Sequence, residues 1–258
     1  MKITRSLTRA IRVAMLVLVL NSSAIAIRPG LSAPSSGGGV SEPTSSRAAG
    51  QLAGIEPVVE EALDYEHIPG AVVVIGHNGR IVYDRAFGYR TRIPRPSRMR
   101  RGTLFDLASL TKVIATTPAV MQLFEQGKIR LNDPVAKYWP EFGQNGKQAI
   151  TVRELLTHYS GLPPDLPLEA PWSGYEAAMN LIVQARPVAP PGTRFIYSDI
   201  NFEALGELVR RIAGEPLDVY CGRHIFMPLG MIHTRFNPPA RLHAHMAPTQ
   251  PPNQKNER

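Results

Sequence analysis

Leu104-Phe-Asp-Leu-Ala-Ser109-Leu-Thr-Lys112 leads into an apolar, largely helical run, Leu107 to Phe124, closed by Gly127. Residues three apart on a helix share a face, so Ser109 and Lys112 bring a hydroxyl and an amine within mutual reach. A serine alkoxide is inaccessible at neutral pH without a base, and a lysine desolvated beside polar partners can lose its charge and accept the proton. A serine in the first helical turn also lies beside free backbone N–H groups, which can stabilise the oxyanion of an acyl-transfer intermediate. Taken alone the motif decides little. Ser-x-x-Lys arises on the order of once in a chain this long from composition, and a serine ahead of a helix is often only its cap. Pro118 lies inside the run and should kink or interrupt it.

Outward from this stretch the pattern stays readable. Leu52, Ile55, Val58, Val59 and Leu63 recur at helical spacing and predict an amphipathic helix ending before Ile68-Pro69-Gly70. The apolar run Ala71 to Ile75, then His77-Asn78-Gly79-Arg80, then Ile81-Val82-Tyr83, predicts a β-hairpin with an Asn-Gly turn. Thr151-Val-Arg-Glu154 is a capping box that starts a helix carrying Leu155 and Leu156, and Gly161-Leu-Pro-Pro164 stops it. A further helix follows Asp199, with Phe202, Leu205, Leu208, Val209 and Ile212 on one face and Gly214 at its end. There is no internal repeat.

The opening stretch is accompanied by Leu155-Leu-Thr-His-Tyr-Ser-Gly-Leu-Pro163 and by Pro191-Gly-Thr-Arg-Phe-Ile-Tyr197-Ser-Asp. His67-Ile-Pro-Gly70 and Met227-Pro-Leu-Gly-Met231-Ile-His-Thr-Arg-Phe236 add to the set. In this order and at these separations the chain resembles the serine β-lactamase-related family, which contains class C β-lactamases, D-alanyl-D-alanine carboxypeptidases and related esterases. The resemblance covers about Gln51 to Gln250. It implies an α/β fold of the α+β type, β-lactamase/transpeptidase-like, with an antiparallel sheet flanked by helices and a helical lobe. It implies that Ser109 is the acylated nucleophile and Lys112 the amine that takes part in its deprotonation. The tyrosine of the family's Tyr-x-Asn element falls on Tyr197, whose phenol then resembles a proton relay. From the residues alone, Tyr197 also reads as an aromatic in the core ahead of a helix.

The chain departs from the family's pattern in two places. Asp199 stands where the family has Asn, and it is the candidate substrate-binding residue. An aspartate cannot donate an amide hydrogen bond, and its charge would hold Lys112 protonated if the two approach. Asn201, two residues on, is a candidate to replace the amide. The third element, Lys-Thr-Gly or His-x-Gly on an edge strand, supplies in the family a second oxyanion N–H and a clamp for the substrate, and it is absent here. After Ala247-Pro-Thr-Gln250 the chain passes into the polar Pro-Pro-Asn-Gln-Lys-Asn-Glu-Arg258. The sequence therefore reads as a partial domain over 51–246, missing C-terminal strands, with a disordered tail over 247–258. The hairpin is expected to be left with exposed edge groups and apolar surface.

Composition sets the outer limits. With 258 residues, 43% of them hydrophobic and 19% charged, the chain has the composition of a folded, water-soluble protein. One cysteine, Cys221, excludes an intrachain disulfide. The net charge of +8 raises the question of nucleic acid. Four of those cations, Lys2, Arg5, Arg9 and Arg12, lie in the first 26 residues, where there is no acid, and without that segment the charge is +4. Arg90, Arg92, Arg95, Arg98, Arg100 and Arg101 lie in a Pro-interrupted stretch without interleaved aromatics and read as a solvated loop. No nucleic-acid partner is expected. The basic start, the apolar run Val13 to Leu20 and Ala24-Ile25-Ala26 form the pattern of a secretory signal over 1–26. That run is too short to span a bilayer, so no stable membrane anchor is expected after cleavage. Residues 27–50, rich in Ser, Gly and Pro, read as a flexible linker.

His158, at a helix end, reads as structural, binding carbonyls there. His243 and His245 lack a third ligand, so no metal and no cofactor are expected. Two functional classes remain. The first is an exported serine hydrolase, periplasmic or extracellular, that acts on a small-molecule or peptide substrate (a β-lactam, a peptidoglycan stem peptide or an ester) through Ser109. The second is a truncated, non-catalytic fragment that only binds ligand or a partner chain.

Overall fold

The computed structural model describes residues 52–65, 68–167 and 171–249. The signal expected over 1–26, the linker over 27–50, His67 and the last nine residues lie outside the described residues. The chain forms two compact units. One comprises the described residues up to Asp106 together with those from Ala240 on, and the other is Leu107–Pro239.

In the first unit the predicted helix is α1, Ile55–Tyr65, and the predicted hairpin is β1, Gly70–His77, paired antiparallel with β2, Arg80–Thr91. Asn78 and Gly79 both take positive φ, 50° and 72°. This is the turn that matches the twist of two strands joined by two residues. A short β3, Ser97–Arg98, pairs with β2 and completes a three-stranded antiparallel sheet. Gly88 sits at φ 65°, and a Cβ there would stand 2.4 Å from the Pro69 carbonyl oxygen, so only glycine fits. α1 packs on β1 and β2, yet none of its residues is buried, and Val58 is 64% exposed. Val74, Ile81 and Val82 of the hairpin are exposed as well.

Arg92, Arg95, Arg100 and Arg101 are exposed and lie outside the strands, as expected of a solvated loop, whereas Arg90 and Arg98 depart from that reading. Arg90 is a β2 residue whose guanidinium donates to the carbonyls of Ala244 and Met246 and to Ser97 Oγ. Arg98 is in β3, its guanidinium 4.5 Å from the centre of the Tyr89 ring. These cations satisfy backbone carbonyls and cover an aromatic face, a use that their spacing along the chain does not display. Leu104 forms a parallel bridge with Met246, and the Ala247 N–H donates to the Leu104 carbonyl at 2.8 Å. Pairing thus reaches at least Ala247, the first residue of the stretch read as a tail.

The second unit holds the large core. A π-helical turn, Lys112–Thr116, leads into α2, Thr117–Glu125. The interruption expected at Pro118 takes this form: the π-helical turn precedes the proline, whose missing N–H leaves the turn before it one donor short. α3, Val152–Leu156, starts at the predicted capping box, with Thr151 Oγ1 accepting from the Glu154 N–H and the Thr151 N–H donating to Glu154 Oε2. α4 is Tyr175–Gln184, α5 is Asp199–Ala213 and α6 is Leu217–Cys221. α5 ends at Gly214, φ 77°, and buries Leu205, Leu208 and Val209 against α2 and α3, with Phe202 and Ile212 partly buried. Trp139 and Phe142 fill the same core. Each such side chain contributes about 1.5 to 3 kcal/mol when fully buried.

Lys147 and Cys221 are among the titratable side chains buried in this unit. Lys147 is fully buried and donates to the carbonyls of Val183 and Ala185 at 2.7 and 2.6 Å, satisfying the end of α4. Desolvation lowers its amine to about 8. Cys221 is buried, and desolvation pushes its thiol up to about 12, so it behaves as a small apolar side chain.

Candidate active site

Ser109 sits just after Ala108, whose φ is 44°, and is exposed at the start of its helix. The N–H groups of Leu110, Thr111 and Lys112 donate to the carbonyls of Leu107, Ala108 and Ser109. These three N–H groups, which the sequence reading left open for an oxyanion, are therefore already used. Lys112 Nζ donates to Ser109 Oγ at 3.1 Å. The same Nζ lies 2.7 Å from Asp199 Oδ1 and 5.0 Å from the centre of the Tyr197 ring. Ser109, Lys112, Tyr197 and Asp199, separated by up to 90 residues along the chain, thus meet in one place.

The Lys112 side chain is only 13% exposed and Asp199 is 44% exposed. Burial pulls the lysine's pKa down, but the Asp199 carboxylate at its ammonium, and then the nearby Tyr197 phenol, outweigh it and hold the amine above its ordinary value. The approach of Asp199 thus has the effect anticipated from its charge. Tyr197 is 43% exposed, which excludes the core-aromatic reading.

The segment after α3 fixes the Tyr197 backbone from both sides. The Ile196 N–H donates to the His158 carbonyl at 2.9 Å, the Ser198 N–H to His158 Nδ1 at 3.1 Å, and the Asp199 N–H to the Pro164 carbonyl at 2.7 Å. His158 takes φ 61°, and its ring lies 4.5 Å from that of Tyr197. Because Nδ1 accepts an N–H, the ring proton belongs on Nε2 and the imidazole is neutral. Burial, and then the Lys112 charge, lower its pKa, with Asp199 acting the other way. His158 is structural, as expected, but it accepts an N–H where binding of carbonyls was anticipated. Gly161 lies in the same brace at φ 76°, where a Cβ would meet the Ala189 carbonyl oxygen at 2.0 Å.

Asn201 does not replace the missing amide. It is fully buried, accepts from Ser160 Oγ at 2.6 Å and lies 3.3 Å from His158 Nδ1. Its side chain serves the brace and does not face substrate. The sequence reading also missed Glu203 and Glu207, which follow Asp199 at intervals of four and line a cleft of about 500 Å3 that includes Lys112. Their spacing puts all three carboxylates on one helix face, a signal that was present in the sequence.

A serine and a lysine in hydrogen-bond contact, with a tyrosine at the lysine, in a chain with a small antiparallel sheet and a helical unit, define the serine β-lactamase-related class. The family model described as Beta-lactamase matches residues 55–258, and the chain belongs to that family. The N-acetylmuramyl-L-alanine amidase of Bacillus subtilis (strain 168) is 35% identical over an alignment of 189 residues that covers 66% of this chain and 43% of that protein. The solved structure of EstCE1, a hydrolase with promiscuous acyltransferase activity, is matched with a TM-score of 0.63 and 33% identity, over 72% of this chain and 53% of that one. A class C beta lactamase structure is matched with a TM-score of 0.69 and 24% identity, over 79% of this chain and 56% of that one, and shares the fold. The chain spans about half the length of these proteins or less.

Proposed function

We propose that the chain is an exported serine hydrolase that cleaves an amide or ester through an acyl-enzyme on Ser109. The observation that carries this reading is the 3.1 Å contact between Lys112 Nζ and Ser109 Oγ. When Lys112 is neutral, its amine takes the Oγ proton and Oγ attacks the substrate carbonyl carbon. The N–H of Ser109 is the donor that its own turn leaves for the oxyanion, the next three being engaged. Collapse of the tetrahedral intermediate passes the proton through Lys112 or Tyr197 to the leaving amine or alcohol, and water then hydrolyses the ester on Ser109. The proton transfers fall to Lys112 and Tyr197. The names of two relatives, an amidase and a hydrolase with acyltransferase activity, support acyl chemistry. The basic, apolar and small-residue succession of the first 26 residues supports export to the periplasm or beyond.

A fluorophosphonate or a penicillin should add one covalent mass to the peptide that contains Ser109, and Ser109→Ala should abolish it. Labelling that survives Ser109→Ala would overturn the assignment. A second reading, in which the chain binds ligand without turnover, is favoured by the Lys112–Asp199 ion pair, which keeps the amine charged. Labelling that appears only at alkaline pH separates a slow nucleophile from an inert one.

A further inference from the structure

Two N–H donors converge on one ring nitrogen. The Ser198 N–H donates to His158 Nδ1 at 3.1 Å, and the Asn201 side-chain amide lies 3.3 Å from the same atom. Ser198 is the N-cap residue of α5, yet its side chain makes no capping hydrogen bond, and its hydroxyl donates to the Pro163 carbonyl. A helix start is ordinarily held by the side chain of its own N-cap. Here it is held from outside, by an imidazole 40 residues earlier in the chain. The His158 ring centre also lies 4.5 Å from that of Tyr197 and 5.2 Å from that of Phe202. Lys112 Nζ lies 5.0 and 5.8 Å from the centres of those same two rings.

We infer that His158 is a positioning residue for the chemistry at Ser109: its Nδ1 anchors the segment Tyr197–Asp199 so that the Asp199 carboxylate rests on the Lys112 ammonium. Tyr197 precedes and Asp199 follows the residue whose N–H the imidazole accepts, so the anchor acts at the middle of the segment. Without an acceptor at this point the buried donors of Ser198 and Asn201 lose their partner, a desolvation cost that the segment relieves by moving. The carbonyls of Pro163 and Pro164 still hold the Ser198 hydroxyl and the Asp199 N–H, so the movement is a loosening and not a release. His158 takes φ 61°, a left-handed conformation that asparagine adopts more readily than most residues with a Cβ. An asparagine carries its side-chain oxygen one bond beyond Cγ, as histidine carries Nδ1. His158→Asn therefore keeps an acceptor, and His158→Phe keeps a ring without one. That role deepens the proposed function and rests on it for its catalytic meaning.

What the anchor governs is the charge on Lys112. The titratable groups that act on this amine are Asp199, Tyr197 and Glu203, from α5 and the residues before it, and His158, after the end of α3. His158 in turn faces Lys112 and Asp199. A loosened Asp199, now at 2.7 Å from Nζ, lets the lysine lose its proton at lower pH. The test follows the carbon-13 resonance of Lys112 Cε from pH 8 to pH 12 in the full chain, in wild type, His158→Asn and His158→Phe. The expected result is a neutral fraction at fixed pH about threefold larger in His158→Phe than in wild type, with His158→Asn at the wild-type value. A His158→Phe titration that coincides with wild type, or a His158→Asn titration displaced as far as that of His158→Phe, overturns the inference. A second measurement needs no variant. In wild type a scalar coupling across the hydrogen bond, between the Ser198 nitrogen and His158 Nδ1, should be present at pH 8 and vanish when the imidazole is protonated, and the Asp199 Cγ resonance should move in step with that loss. No coupling at pH 8, or an Asp199 resonance indifferent to its loss, overturns the anchor. Labelling of Ser109 by a fluorophosphonate judges the acyl-enzyme reading separately, because neither the titration nor the coupling requires chemistry there.

Discussion

Replacing Asp199 by asparagine should make Ser109 more reactive near neutral pH. Lys112 Nζ and Asp199 Oδ1 are 2.7 Å apart. At that separation opposite unit charges attract by about 1.5 kcal/mol even at the dielectric constant of water, and by several times more at an effective constant of about 20. Asp199 is substantially exposed, so the screened figure is the appropriate one. Removing it increases the neutral fraction of Lys112 at fixed pH by about tenfold. A less basic amine is also a weaker proton acceptor, so tenfold is the upper end of the expected gain. The assay is the second-order rate of fluorophosphonate labelling at Ser109 between pH 6 and 10. The wild-type rate should climb towards alkaline pH, and the Asp199→Asn profile should climb at lower pH, with a rate at pH 7 several-fold to tenfold higher. A variant that folds with an unchanged Tm and labels no faster would refute the view that Asp199 restrains Lys112. One that labels more slowly would make Asp199 a participant in proton transfer.

Lys112→Ala should slow the same labelling by about a hundredfold to ten-thousandfold, the range for loss of a positioned base, and a smaller loss would move that role to another group. Gly161→Ala forces a side chain into a positive-φ position against the Ala189 carbonyl, so it should lower stability by at least about 1 to 3 kcal/mol in urea unfolding and weaken the brace on Tyr197. Lys147 titrates at about 8 when folded against an ordinary value of 10.5, so the unfolded chain holds that proton more tightly. Its contribution should therefore rise as pH climbs from about 8 towards 10.5 and be lost as pH falls through 8. The urea midpoint should show that rise in wild type, and Lys147→Met should flatten it.

What the sequence disclosed depended on how local the cause was. The Asn-Gly turn, the Thr151–Glu154 capping box and the Gly214 end of α5 are settled within a few residues, and each stands where its residues placed it. Ser109 and Lys112 are three apart and share a turn, so their contact was also legible. Arg90 was misread because its partners, Ala244 and Met246, lie more than 150 residues away. Asn201 was misplaced for the same reason: its commitment to Ser160 and His158 comes from a segment some 40 residues earlier.

The π-helical turn bears on how one apolar run serves two neighbours. The Thr117 N–H donates to the Lys112 carbonyl, five residues back, so this turn holds one residue more than an α-helical turn does. In an α-helix each residue advances the azimuth by about 100°, so the insertion rotates everything before it by roughly that angle relative to everything after it. Ala119, Val120 and Leu123 of α2 lie in the core, while Lys112 looks into the cleft at Asp199. An uninterrupted helix would have to share one phase between these two duties. The extra residue supplies a phase step between them, and Pro118, which lacks an N–H to close an α-helical bond in the turn before it, holds that step in place.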